Sequence, residues 1–523
     1  MQTILLIVLT FLLSDITSYK ILVCYPLNVK SMSILGEAAV RHLINDGHEI
    51  TYITTHPFKR PQSKLFRQIH ISNNNIFNDP KYSVREVLQY NIEENDIQSV
   101  QEFARETARL TFQNENVTAF LEKTDEQFDA VIVDLLESEV YAGLAVLYNC
   151  PMIWMYSMGA HWQALRLIAE PTNPAYDTNY IGSDIPPFSF LQRIKELWIR
   201  IKWTYYKTFV TTPIERDIYK QVFEPLLNKR GKKLPDYEEV LYNASFMFGN
   251  ENNAIHYRPS TPQNFKFIGG YHVEDPVKPL PKDLQELMDR STHGVIYFSL
   301  GSFWKSKELP KAMITELVRI FGELNQTVLW KYEDDLPNIP KNLHLLKWAP
   351  QQSILAHPKL KFFITHGGLL STTEAIHFGV PIIGIPVLND QFLNINKASA
   401  TGYGIRVDFN NDLPRNLKAA IRSVLKDESY SEQAKKVSSM YHDIPTKPGE
   451  ELTHWVRHVI RRNGAPHLRS PAIKVPLYQS LYLDLIALLL VFCCIFIYLF
   501  NIAVKNIYNR NKRYKNIKSK KNQ

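Results

Sequence analysis

Short apolar runs alternate with amphipathic stretches through most of the chain. In the first half, Lys20–Tyr25 (KILVCY) and Glu49–Thr54 (EITYIT) have the length and composition of buried strands. Between them, Ile34–Asp46 (ILGEAAVRHLIND) repeats its apolar residues at helical spacing and stops at Gly47. Lys30–Gly36 (KSMSILG) then reads as the loop beyond the first strand's carboxyl end, where ligands sit in strand–loop–helix units. A strand at Asp129–Asp134 (DAVIVD), a helix at Glu137–Tyr148 and a strand at Met152–Ser157 (MIWMYS) repeat the unit. From Pro174 to Pro262 the pattern turns aromatic and irregular, as in an insertion.

A second series opens after the proline-rich Asp275–Lys282 (DPVKPLPK), which reads as a linker. Its strands are expected at Gly294–Leu300, Thr327–Lys331, His344–Trp348, Lys361–Thr365 and Val380–Ile385. Strands alternating with helices imply parallel α/β units, and 523 residues suit two domains. The expected fold class is α/β, with two Rossmann-like domains facing across a cleft and one C-terminal transmembrane helix. The expected layout is an N-terminal domain over 19–274, a linker over 275–282, and a C-terminal domain with a return segment over 283–484. Such a cleft suits a nucleotide-bearing ligand in one half and a second substrate in the other.

Both chain ends read as targeting segments. Residues 1–18 hold the apolar run Ile4–Leu13 followed by small and polar residues, the layout of a secretory signal peptide. Leu485–Val504 offers 20 residues for a bilayer span. Behind it, residues 505–523 carry eight Lys or Arg and no acid, which predicts a cytosolic tail with the bulk of the chain across the membrane. The whole chain is +8, so the tail accounts for the basic balance and no nucleic-acid partner is expected.

Of four cysteines, Cys493 and Cys494 fall inside the span. Cys24 and Cys150 adjoin apparent buried strands and read as small core residues, although a bridge between them is conceivable in an oxidising lumen. Asn116, Asn243 and Asn325 stand in N-x-Ser/Thr triplets, acceptors for glycosylation in that compartment. No metal site is expected.

Leu191–Val210 places Ile194, Leu197, Trp198, Ile201 and Tyr205 on one helical face, with Arg193, Lys195, Arg200, Lys202 and Lys207 filling much of the rest. Two readings stay open: a helix lying in the lipid interface, or an ordinary helix packed on the first domain.

The chemistry concentrates in residues 347–391. A strand ending at Thr365 is followed by His366, Gly367 and Gly368, then by a helix opening near Ser371. Two glycines let backbone approach a ligand closely, and the new helix aims free amides and a positive dipole end at it. His366 and Ser371 complete a site for a diphosphate, and Glu374 stands one turn in, where it can accept from ribose hydroxyls.

Trp348, Gln351, His366, Gly368, Ser371, Glu374 and the Asp390-Gln391 pair stand at the spacing of the UDP-glycosyltransferase signature, and the segment resembles that family. The resemblance extends to Phe298–Ser302 (FSLGS), the KPLP linker and the C-terminal span with its basic tail, and it is nearest the animal, invertebrate, membrane-bound branch. It implies the GT-B fold and an inverting hexosyl transfer from a UDP-sugar co-substrate, UDP-glucose or a related UDP-hexose, without any cofactor. The acceptor would be a small lipophilic molecule, as in detoxification-type conjugation. Trp348 would stack on uracil with Gln351 beside base and ribose, and Glu374 would hold the ribose. Ser302, His366 and Ser371 would hold the diphosphate, and Asp390 and Gln391 the sugar. A single-pass protein of the endoplasmic reticulum membrane is implied, its catalytic domains lumenal, with Lys520–Gln523 similar to a dilysine retrieval signal. The bilayer would be a partner, and a homo-oligomer stays open.

The resemblance also implies a base histidine after the first strand, held by an aspartate after a later one. Asp134 matches the aspartate, although alone it also has the plainer reading of a cap on the following helix. Met32 stands where the histidine would be. Losing a positioned base costs about 10²–10⁴-fold, whereas orientation and leaving-group stabilisation survive. Three outcomes are expected: an acceptor nucleophilic without help, such as an amine, thiol or acidic phenol; a substitute base, Asp134 or His161; or a protein that binds UDP-sugar with weak or no turnover. A nucleotide-sugar epimerase or hydrolase on the same fold is the competing enzyme class.

Overall fold

The computed structural model describes residues 18–58, 63–71, 97–135, 137–168, 172–180, 182–252, 261–302 and 304–521. The signal-peptide segment before Ser18 and the last two residues of the retrieval-like tail lie outside them. Residues up to Ser470 form one compact unit and Pro471–Gln523 another.

In the first unit the apolar runs pair into two parallel sheets. The first holds β1 (Lys20–Tyr25), β2 (Glu49–Thr54), β3 (Phe66–His70), β4 (Ala130–Asp134), β5 (Met152–Tyr156), β6 (Phe246–Gly249) and β7 (Phe265–Phe267), in the order β3-β2-β1-β4-β5-β6-β7. The second holds β8 (Val295–Ser299), β9 (Thr327–Lys331), β10 (Leu343–Leu346), β11 (Leu360–Thr365), β12 (Ile382–Gly384) and β13 (Gly404–Arg406), in the order β10-β9-β8-β11-β12-β13. Central strands such as β4 and β8 are buried at every residue, because helices cover both faces of the sheets. Strand order reverses between β1 and β4 in one sheet and between β8 and β11 in the other. Crevices open outside the carboxyl ends of strands at such points.

Several expectations need correction. Lys30–Gly36 is not a loop: the helix runs over Lys30–Asn45, so Met32 stands in its first turn. Nothing from Lys30 to Leu35 breaks a helix, and Gly36 lets it lie tight on the sheet. A Cβ there would meet the Tyr52 hydroxyl at 2.2 Å and Tyr25 Cγ at 2.8 Å. The helix expected from Glu137 starts later, as a 3₁₀ turn at Val140–Ala142 running into Gly143–Tyr148. The insertion is less irregular than expected: the helix read over Leu191–Val210 is present as Phe190–Tyr206, and a π turn at Lys207–Thr211 carries it into a further helix, Thr212–Asn228. Ser189 starts the first of these through a capping box with Gln192.

The apolar stripe of Phe190–Tyr206 faces outward. Leu197 is 46% exposed and Trp198 57%, while Ile199 and Trp203 are buried. The inner face is held largely by polar contacts: Asn179 donates to Glu196 at 2.6 Å, Arg200 donates to Thr172, and the Arg166 guanidinium lies 4.9 Å from the Trp203 ring.

Late in the unit, helix Pro448–Arg461 joins the first sheet's core. Leu452, Val456 and Val459 pack with Ile21 and Val23, Trp455 stacks on Phe246, and Arg457 donates to Asp46 at 2.9 Å. Cys24 and Cys150 are free thiols, and Asn116, Asn243 and Asn325 are exposed. The second unit contains helix Leu483–Lys521, whose apolar stretch is exposed and long enough to cross a membrane.

Candidate active site

A cavity of about 550 Å³ is lined by residues from the reversal points of both sheets. On the second sheet, β8 ends at Ser299 and the chain turns through Gly301 at φ +86°, while β11 ends at Thr365 ahead of Gly367 at φ +85°. His366 lies between these turns. A Cβ on Gly301 would meet its ring at 2.5 Å, and one on Gly368 at 2.6 Å, so both glycines are needed to clasp the imidazole. Burial, helped by the nearby charge of Lys331, lowers His366 to about 4, leaving a neutral ring at pH 7. Its Nδ1 has no partner among the described residues. Helix Leu369–His377 begins at Gly368 with no side-chain cap, so its first amides stay available to an anion.

Around this centre the predicted donor residues are already braced. Glu374 accepts from Gln351 at 2.6 Å and from Gln352 at 2.9 Å, with His272 Nε2 at 3.5 Å. Gln351 also donates to Ser371 at 3.1 Å and accepts from Tyr297 at 3.3 Å. Trp348 is 59% exposed and lines the cavity. Asp390 accepts from Asn394 at 2.9 Å, and burial raises its carboxyl to about 6. Gln391 Oε1 receives the amides of Val387 and Leu388 at 2.9 and 3.1 Å, which fixes its side chain. Ser302, Trp348, Gln351, His366, Gly368, Ser371, Glu374, Asp390 and Gln391 thus share one cavity wall, whereas Gly367 supports it from behind, against Ile395.

Met32 lines the same cavity, in the same partly buried apolar group as Leu370. Asp134 does not reach the wall: it is fully buried and accepts a 2.5 Å hydrogen bond from Ser157, which lines the cavity. The helix-cap reading of Asp134 is displaced, since the next turn is capped at Glu139 without a side-chain bond. Burial raises the Asp134 carboxyl to about 7. His161, the substitute base considered from the sequence, is 2% exposed, is lowered to about 4 by burial, and is absent from the lining residues.

Among the wall residues that sequence reasoning missed are Lys331, Ser157 and Glu137. Lys331 ends β9 with Nζ 2.9 Å from the Gly301 carbonyl and 5.8 Å from the Trp348 ring, bringing a cation to the His366 turn. A lysine closing an otherwise apolar strand was its signal. Ser157 follows β5 in the same way. Glu137, three residues beyond Asp134, had no signal, because its left-handed backbone (φ +56°) depends on the packing around it.

The twin parallel sheets meeting over one cavity define a GT-B-type fold. The structure of CalG4, the calicheamicin glycosyltransferase, matches 86% of this chain and 100% of its own with a TM-score of 0.56 at 17% identity. Residues 13–521 match the family model described as UDP-glucoronosyl and UDP-glucosyl transferase. UDP-glucosyltransferase 2 of Dactylopius coccus is 32% identical over 501 residues, covering 95% of each chain. UDP-glucuronosyltransferase 2B1 of Rattus norvegicus is 31% identical over 367 residues, covering 70% of this chain and 67% of its own. The chain belongs to the UDP-glucuronosyl and UDP-glucosyl transferase family, and is a UDP-glycosyltransferase, a hexosyltransferase using a UDP-sugar donor.

Proposed function

We propose that the protein is an inverting transferase moving glucose, or a related hexose, from its UDP-sugar to a small lipophilic amine, thiol or acidic phenol. One observation carries the reading: the donor residues share a single cavity with Met32 and Ser157, so donor and acceptor would meet there. Trp348 and Gln351 would take the uridine, Glu374 the ribose, and Asp390 with Gln391 the sugar hydroxyls. Ser302, Ser371, the neutral His366 and the open amides of helix Leu369–His377 would stabilise the departing diphosphate, with Lys331 adding charge. The nucleophile's lone pair forms the new bond to the anomeric carbon as the C–O bond to UDP breaks on the opposite face.

Met32 supplies no base, which supports acceptors that attack without one. Ser157, donating to Asp134, keeps its lone pairs free for an acceptor hydrogen. The exposed stripe of Phe190–Tyr206 and the apolar C-terminal helix support a bilayer partner, with the protein in the endoplasmic reticulum membrane and its catalytic unit lumenal. Exposed Asn116, Asn243 and Asn325 are the proposed glycan sites. Met32 also favours a second reading, a UDP-sugar-binding protein with little turnover. Release of UDP from UDP-glucose by membranes carrying the protein, with phenols, aliphatic alcohols and arylamines offered in turn, separates the two. Turnover of amines or acidic phenols supports the transferase, and silence on every acceptor despite UDP-glucose binding supports the second reading.

A further inference from the structure

The proposed transfer leaves one wall carboxylate unused. Behind the acceptor side lies a buried ion cluster: Glu139 and Glu215 face Lys207, and Glu139 also pairs with Arg166. Lys207 Nζ is 2.9 Å from Glu215 and also donates to the Glu137 carbonyl at 3.2 Å. Tyr237 donates to Glu215 at 3.3 Å. Both cations are therefore engaged by Glu139 and Glu215. Glu137 is the third carboxylate against two cations. It is 7% exposed, lines the cavity, and no described side chain hydrogen-bonds its carboxylate.

We infer that Glu137 recognises a basic nitrogen on the acceptor and takes up its proton, because it is the surplus carboxylate of a closed ion cluster and the member on the cavity wall. The inference rests on the transferase reading and names its substrate class as basic amines. The chemistry balances simply. An ammonium R–NH3+ gives one proton to the Glu137 carboxylate. The freed lone pair forms the N–C bond at the anomeric carbon while the C–O bond to UDP breaks and its electron pair leaves on the diphosphate. The glycosylated nitrogen then releases its extra proton to solvent.

Burial raises the Glu137 carboxyl to about 7, opposed by Lys207 and Arg166 and reinforced by Glu139 and Glu215. The phenols of Tyr156 and Tyr180, pushed up by burial and then by the Glu137 charge, stay neutral. A group titrating near 7 is suited to exchanging a proton at physiological pH. Cation recognition is present above that value and is lost as pH falls through it.

The test uses detergent-solubilised full-length protein and two probes, an arylalkyl trimethylammonium ion and its neutral tert-butyl isostere. Binding is read by quenching of tryptophan fluorescence, so turnover is not required. The natural protein is expected to favour the cation by about tenfold at pH 8 and to lose that preference by pH 6, since the ionised fraction of a group near 7 changes by about tenfold over that interval. Glu137→Gln should abolish the preference at both pH values, and Glu137→Asp should restore part of it. Equal binding of the two probes by the natural protein overturns the inference, even if Glu137→Gln fails to fold. So does a cation preference that survives in Glu137→Gln with UDP binding intact. UDP release assayed on the natural protein separates the two failures: phenol turnover without cation preference sinks only Glu137, whereas no turnover with any acceptor sinks the transferase reading.

Discussion

Ser157 donates a 2.5 Å hydrogen bond to Asp134 Oδ1, and Asp134 Oδ2 has no partner among the described residues. The serine occupies the carboxylate that the family resemblance assigns to a histidine. Burial raises Asp134 to about 7, against roughly 3.9 in an unfolded chain. The native state therefore binds the proton more tightly. The stability this contributes is full below the unfolded value and is lost as pH rises through about 7. Asp134→Asn is expected to gain melting temperature relative to the natural protein at about pH 8 compared with about pH 5. A difference independent of pH would refute this. Ser157→Ala, which leaves the carboxylate without its donor, should cost about 1–3 kcal/mol.

Met32→His should restore the missing base. Turnover of aliphatic alcohols is expected to rise by about 10²-fold or more, and amine turnover to change far less. Parallel UDP-release assays check this, and equal gains on both acceptor types would show that the site at residue 32 does not govern acceptor choice.

Glu374 is aimed by hydrogen bonds from Gln351 and Gln352. Glu374→Ala should weaken UDP binding by roughly 10–100-fold, the worth of hydrogen bonds to a charged group. Calorimetric titration with UDP measures it. Gln352→Ala, which removes only a brace, should lose less.

Helix Phe190–Tyr206 offers a contrast in stability. Trp203 is buried against Trp162 at 5.0 Å between ring centroids, so Trp203→Ala should cost about 3–5 kcal/mol. Trp198→Ser, on the exposed face, should stay within about 0.5 kcal/mol. Denaturant unfolding in detergent compares the two, and a larger loss at Trp198 would contradict the register.

Much of the architecture was legible in one dimension. β1, β2 and β9 were readable to the residue, because strands buried on both faces are dominated by apolar and β-branched residues. Short strands such as β7 and β13, three residues each, carry too little pattern to read. Within the insertion, Leu191–Val210 is readable as a helix from its spacing, and the capping box at Ser189–Gln192 marks its start. The donor segment could be read because its residues are packed into one stretch around the β11 turn, where local backbone geometry sets their spacing.

The amino-acid sequence by itself determined the two α/β halves, the apolar C-terminal helix and the family, since periodicity and a dense motif are properties of the chain order. The tertiary structure alone decided what faces the cavity. It put Met32 in a helix, Asp134 behind Ser157, His161 away from the wall, and Lys331 and Glu137 on it. It also turned the apolar stripe of Phe190–Tyr206 outward, because the inner face found polar partners. Which side of an element meets a neighbour depends on contacts between residues far apart in the chain, and hydrophobic periodicity within one element does not encode them.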